Sequence, residues 1–535
     1  MSVEQRLFDF HYLASVYAKH YAPYEWKRDV LRFDLYEIQP WLDRVRRTED
    51  DLEYYELAAE YVARLADSHS GYSLPSNFRA SLPLTADLYD GRVLIDSIDR
   101  GALPEETYAL QVGDELVSLD GKSPEDWIGE FSRFVTMANP RGTRRLAASY
   151  LFFRPQSDLP RAHELAETAR LEVRRDSGEL ESYELAWVKT GVPIDWVGPV
   201  PKASAGRRAA GARQTLLAQL RDRRMREKGR IRGWGAKAPA FELPEGFEQR
   251  LGRDGRDFHY SGAYEAGSKR IGFLRIPHFS PGSETSAERE LRNEIAWMEE
   301  NTDGLVVDVT RNTGGGCYGE TALRLLIPYP FRSIADEVRP SRAFILELES
   351  ELAAARAFGG EEWEIAMYEF TLEQVRRAYS ENRGRTGPIP TCQSTADLQP
   401  ATDASGRILA YSKPLILLTD EFTVSWGEAF AAAMQDARRG PLVGMRTDGA
   451  GGMVLNGPAG FYSEASTSYT ISMGARAAPV VTPDFPTTAY IENVGVRPDV
   501  EIDWMTRENL LSSGRPFVEG FTAAMLDEIA KRGEP

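Results

Sequence analysis

The sequence predicts an α/β fold: a layered β/α domain in the second half of the chain, behind an N-terminal helical region and a small strand-rich domain. Three observations predict it. From about residue 255 strand-like and helix-like patterns alternate. Two of those strands, in DGLVVDVT (303–310) and KPLILLTD (413–420), are continuous apolar runs of the kind buried on both faces in parallel sheets. The first 70 residues instead repeat apolar side chains at helical spacing.

Taken in order, LFDFHYLASVYAKHY and LEYYELAAEYVARLADSHS predict helices over residues 1–74, a region that closes on the polar cluster Asp67-Ser68-His69-Ser70-Gly71. Residues 75–192 change character. GRVLIDSI reads as a strand. ELVSL is a short strand bracketed by the turn signals Gly113-Asp114 and Asp120-Gly121. LEVRRDSGELESYELAW reads as a hairpin turning at Ser177-Gly178. Residues 193–254 form a basic linker or insertion, with eleven Arg/Lys against two acids between Arg207 and Lys237. A solvated, partly helical stretch is the plain reading of it, and a docking surface for an acidic partner the sharper one. In residues 255–535, KRIGFLRIPHF predicts a strand and SAERELRNEIAWMEENT an amphipathic helix. A charged helical insertion lies near 340–405. SWGEAFAAAMQDAR (helix), PLVGMRT (strand), TSYTISMGARA (a single strand) and a closing helix over 505–535 complete the series.

The 535 residues are enough for about three or four domains. With 42% hydrophobic and 27% charged residues the composition is that of a globular chain, not a disordered one. A net charge of -17 argues against nucleic-acid partners and anionic membrane surfaces. No apolar run approaches the roughly 18 residues of a membrane span. The charged N-terminus has no signal-type apolar core, and the expectation is an extracytoplasmic protein whose leader is absent from this sequence, ahead of a cytoplasmic one. The only cysteines, Cys317 and Cys392, allow one bridge at most, and Cys317, following three glycines, is a candidate thiol. The six histidines are scattered, so neither a metal site nor an organic cofactor is expected.

Four segments could carry chemistry. In Thr419-Asp420-Glu421-Phe422-Thr423-Val424-Ser425-Trp426-Gly427-Glu428, a buried strand ends and a helix starts at once. Ser425 is therefore placed at a strand-to-helix elbow, where backbone N–H groups and the helix dipole favour developing negative charge. It could equally be a simple helix cap. Asp308-Val309-Thr310-Arg311-Asn312-Thr313-Gly314-Gly315-Gly316 follows the other buried strand. Its glycines either form a tight turn or bring backbone amides close to an oxyanion. Ser68-His69 and Glu492, in Tyr490–Asp499, are unremarkable by spacing alone.

DGLVVDVTRNTGGG, LILLTDEFTVSWGEAFAAAMQDARRGPLVGMRTDGAGG, ENVGVRPDVEI and IGFLRIPHF resemble, in order, four blocks of the tail-specific (C-terminal processing) serine proteases. ALQVGDELVSLDGK looks like the second half of a PDZ domain, although LPLTADLYDGRVL lacks a Gly-Leu-Gly-Phe loop. The resemblance implies a crotonase-like layered catalytic domain with an inserted PDZ-like domain. It departs at Ala450, where many members place the lysine of a Ser-Lys dyad, and no lysine lies between Ser425 and the C-terminal helix. The sequence resembles instead the tricorn-like branch, which uses a Ser-His pair, the serine nucleophile and a glutamate. Ser68-His69, Ser425 and Glu492 match that pattern.

The resemblance thus implies a serine endopeptidase acting on unfolded or flexible polypeptides, near their C-termini. His69, of ordinary imidazole pKa about 6.5, would take the Ser425 proton. Ser68 would orient His69, and Glu492 would hold Ser68. Gly314 or Gly315, with Trp426, would donate N–H groups to the oxyanion. A homo-oligomer is compatible with it. The rival readings are an inactive peptide-binding scaffold on the same fold, an acyl-transfer or hydratase enzyme of crotonase type, and a Cys317 thiol enzyme.

Overall fold

The computed structural model describes residues 1–194, 231–360 and 362–533. The basic stretch 207–237 therefore lies mostly outside the described residues. The N-terminal region is helical: α1 (Val3–His20), α2 (Tyr24–Asp29), α3 (Gln39–Val45) and α4 (Asp51–Ala63). A capping box at Ser2 and Gln5 starts α1, and Asp50 caps α4. Phe10, Leu13, Tyr17, Tyr54, Tyr55, Ala58 and Tyr61 recur on inward faces and bury one core with side chains from near residues 340–390 and 459–471. The strand β1 (Gly71–Ser73) carries the chain out of this region directly after His69.

The second region holds β2 (Arg79–Ser81), β3 (Leu84–Tyr89), β4 (Arg92–Ile98), β5 (Glu115–Leu119), α5 (Pro124–Phe131), α6 (Pro140–Ser149), β6 (Phe153–Pro155), β7 (Thr168–Arg174), β8 (Leu180–Ala186) and β9 (Val188–Thr190). An antiparallel sheet in the order β3-β4-β5-β7-β8 forms its body, and β6-β2-β9 forms a smaller sheet. The β7–β8 hairpin turns where Gly178 takes a positive φ of 88°. Asn139 caps α6, with proline at its first turn.

The remaining chain contributes β10 (Glu248–Leu251), β11 (Tyr260–Ala266), β12 (Lys269–Arg275), α7 (Glu284–Asn301), β13 (Gly304–Asp308), α8 (Tyr318–Leu326), β14 (Phe331–Arg332), β15 (Ala335–Val338), α9 (Arg342–Phe358) and α10 (Glu362–Ser380). It continues with β16 (Pro388–Pro390), β17 (Asp397–Leu398), β18 (Leu415–Thr419), α11 (Trp426–Asp436), β19 (Leu442–Gly444), β20 (Val454–Pro458), β21 (Ser466–Thr470), β22 (Ser472–Val480), β23 (Thr488–Tyr490), β24 (Val500–Glu501), α12 (Arg507–Leu511) and α13 (Arg515–Gly533).

The main sheet runs β10-β11-β12-β13-β18-β19-β24, parallel from β12 onward. Every residue of β13 and β18 is buried, as their unbroken apolar runs require. Helices α7, α8 and α11 cover one face; α13 covers the other through Phe517, Phe521 and Met525. The layered α/β architecture predicted from the sequence is present. TSYTISMGARA, expected as one strand, is two: β21 pairs with β1 and β20, whereas β22 pairs with β15 and β23. The chain changes sheets at Ile471, whose N–H bonds Met453 O and whose carbonyl accepts from Arg339 N. Cys317 and Cys392 are joined in a disulfide, so the thiol-enzyme reading fails.

Candidate active site

The site forms beyond the C-terminal ends of β13 and β18, where two loops meet. From β18 the chain turns through Asp420–Val424 into Ser425, the residue before α11. Ser425 has φ 58° and ψ -124°, a region costly for a residue with a Cβ, and it forms a capping box with Glu428 at the start of the helix. Its N–H donates to Glu428 Oε2 at 3.3 Å.

The glycine loop after β13 lies directly against it. Asn312 is buried and organises the junction: its Oδ1 accepts from Gly314 N at 2.8 Å, its Nδ2 donates to Ile276 O at 2.8 Å, and its carbonyl accepts from Val424 N at 3.0 Å. Gly314 has φ 74°, and a Cβ there would stand 2.5 Å from Ser425 Cβ and 3.0 Å from its Oγ. Only glycine allows this approach. Among the described residues, Gly315 N–H and Trp426 N–H donate to no acceptor. Of the expected donors, Gly314 N–H is committed to Asn312.

Ser68 and His69 arrive from the N-terminal region. Ser68 Oγ donates to Asp448 Oδ2 and accepts from Ala138 N at 2.9 Å. Asp448 also accepts from Asn139 N at 3.1 Å, and its own N–H donates to Thr423 O at 3.2 Å, two residues before Ser425. The Ser68-His69 pair is therefore joined to the elbow through one residue, Asp448, whose carboxylate holds Ser68 and whose backbone N–H holds Thr423. His69 is buried, and its backbone N–H bonds Asp67 Oδ1 at 2.8 Å.

Glu492, expected to hold Ser68, instead contacts Lys27 Nζ; the carboxylate on Ser68 is that of Asp448. Lys27 is fully buried and also donates to Asn493 Oδ1 at 2.6 Å and Ala66 O at 3.1 Å. Sequence reading assigns no role to Lys27, Asn312 or Asp448. Glu428, three residues after Ser425, stands where the resemblance to the tail-specific proteases places an acidic residue.

Charge is concentrated here. Burial pushes the Glu492 carboxyl up to about 8, with Asp67 and Asp448 adding to the rise against the pull of Lys27. Burial likewise raises Asp448 to about 7, against the Ser68 and Asn139 bonds. Glu428 is raised by burial and by Asp448, while Thr447 Oγ1, Gly449 N and Ala450 N donate to it at 2.6–2.7 Å. Asp67 is held below the usual range because Lys27, His69 and Thr470 together outweigh its burial. Among the described residues no cluster of His, Cys, Asp and Glu could hold a metal ion.

A serine at a strained elbow against a glycine loop, on a layered α/β domain, is the arrangement of a serine-type peptidase. Residues 270–502 match the model of peptidase family S41, and residues 78–193 match that of a PDZ domain. Residues 270–502 are thus an S41-type peptidase domain, in line with the resemblance to the tail-specific proteases. The chain is 25% identical to a protein of Chlamydia trachomatis serovar D, over 94% of this chain and 89% of that one. It is 24% identical to an uncharacterized protein of Chlamydia muridarum, over 94% and 90%. Crystal structures of mature CPAF, alone and complexed with lactacystin, share its fold. The first has 23% identity and a TM-score of 0.74 over 99% of this chain and 98% of that one. The second has 22% identity and a TM-score of 0.75 over 99% of both. No described helix is long and apolar enough to cross a membrane.

Proposed function

We propose that Ser425 is the nucleophile of this peptidase and His69 its base, cutting unfolded or flexible polypeptides near their C-termini. The observation that carries the reading is the positive φ of Ser425 together with the contact-distance approach of Gly314. Ser425 Oγ attacks the scissile carbonyl carbon while His69 takes its proton. The carbonyl oxygen becomes an oxyanion beside the N–H groups of Gly315 and Trp426. Collapse expels the amine, which leaves with the proton from His69, and an acyl-enzyme remains. Water, deprotonated by His69, then releases the acid and restores Ser425. Ser68, fixed by Asp448, orients the imidazole loop, and Lys27 with Glu492 anchors the same loop through Ala66 and Asn493.

The PDZ-type sheet supports an extended polypeptide as substrate, since such domains bind chain ends by strand addition. The Cys317–Cys392 disulfide supports an extracytoplasmic location, because such bonds persist in oxidising compartments.

Labelling with a fluorophosphonate probe tests the reading. The wild type should label; Ser425→Ala and His69→Ala should not, and casein-like substrates should lose at least about 10³-fold in turnover with either change. Retained labelling in Ser425→Ala would overturn the assignment.

A further inference from the structure

The turn that delivers Ser425 is fastened to the PDZ-type domain as well as to the sheet it leaves. Phe422 and Val424 are buried among that domain's own apolar side chains, not in the core of the peptidase sheet. Between them and β18 stands Glu421, buried at 1% exposure. Its Oε1 accepts from Arg141 Nε at 2.6 Å and from Arg145 Nη1 at 3.0 Å. Both arginines lie on α6, four residues apart and so on one face.

Each arginine has a second anchor. Arg145 Nη2 reaches Asp87 Oδ2 at 2.6 Å, and its guanidinium lies 4.6 Å from the centre of the Phe422 ring. Arg141 Nη2 reaches Asp503 Oδ1 at 2.7 Å. The N-terminal end of α6 is tied to the rest of the site, since Ala138 N and Asn139 N bond Ser68 and Asp448. One helix thus bonds the turn before the serine and the residue beside the histidine.

We propose that Glu421, clamped by Arg141 and Arg145, is a positioning residue for acyl transfer. It fixes the elbow turn so that Ser425 keeps its strained backbone and its alignment with Gly315 and Trp426. The inference rests on Ser425 being the nucleophile. A backbone in this region is strained and persists only where its surroundings over-determine it. A buried ion pair is a poor source of net stability, because apolar side chains of similar size often replace it without loss. What it supplies is direction: charge-assisted bonds from two planar guanidinium groups fix one oxygen where an apolar contact would let it slide.

Glu421→Met in the full chain is the test. It strands no cation, since Arg145 keeps Asp87 and Arg141 keeps Asp503. Glu421→Gln keeps the shape and the accepting Oε1. For each variant we would measure the rate of fluorophosphonate labelling at Ser425, kcat and KM on an unfolded peptide, and the thermal midpoint. In folded Glu421→Met, kcat and labelling rate should fall together by about tenfold or more with KM within about twofold, as misplacement of a reacting group by about 1 Å can cost 10²-fold. Glu421→Gln should recover most of the loss. A kcat within twofold of wild type in Glu421→Met, a change confined to KM, or activity that tracks the folded fraction in both variants would overturn the proposal. Should Glu421→Met fail to fold, Arg141→Met removes one clamp and leaves Glu421 paired. A several-fold drop in kcat at unchanged KM is expected there, and wild-type kcat would overturn the proposal. A wild type that does not label at Ser425 overturns the nucleophile reading and this inference with it. Normal wild-type labelling with an unaffected Glu421→Met overturns this inference alone.

Discussion

At Gly315 the backbone φ is 146°, and a Cβ would overlap the Phe279 carbonyl carbon and stand 2.7 Å from Ser280 N. Both neighbours are main chain and cannot turn aside. Gly315→Ala should therefore shift the glycine loop and withdraw one of the proposed oxyanion donors. Steady-state kinetics should show kcat lowered by about 10²–10³ with KM little changed. A variant with wild-type kcat would remove Gly315 from the oxyanion site. Ser425 and this loop were legible in the sequence because each is a local pattern, a breaker or polar turn at the end of a buried strand. Asp448 was not, since a lone aspartate in RTDGAGG has no period, and its bond to Ser68 spans 380 residues. Lys27 sits in a short charged helix that reads as solvated surface. Its burial is set by Glu492, 465 residues away.

At the scale of elements, the Cys317–Cys392 bond joins the start of α8, immediately after the glycine loop, to the segment following β16. That segment is held further by Thr391 on Asp336 and by Gln393 Nε2 on Glu320 at 3.0 Å. Closing 75 residues of chain should contribute about 4 kcal/mol by the loop-entropy argument. The paired Cys317→Ser, Cys392→Ser variant should melt lower than the oxidised wild type and label more slowly at Ser425; an unchanged melting midpoint would refute the first expectation. Element types were largely legible from periodicity. The split of TSYTISMGARA was not, because alternation marks a strand without saying which sheet it joins, and only the bonds of Ile471 to two different neighbours divide it.

Across the whole molecule, buried carboxyls set the pH response. Glu492 stands at about 8 against an ordinary 4.5, and Asp448 at about 7 against 3.8. The folded chain binds these protons more tightly than the unfolded chain does. Their stabilisation is complete below the unfolded values and is lost as pH rises through the folded ones. Glu421 acts oppositely: Arg145 and Arg141 outweigh its burial and hold it at about 2, so its contribution is present above 4.5 and lost as pH falls toward 2. The thermal midpoint should decline between about pH 5 and pH 8, and calorimetry showing a flat or rising midpoint there would contradict the assignment. The Lys27–Asn493 bond, 466 residues apart in sequence, also bears on synthesis. Lys27 leaves the ribosome 466 residues ahead of Asn493. Until that later segment follows, the proposed site lacks the partners of its buried lysine, so the order of synthesis itself delays the onset of proteolysis.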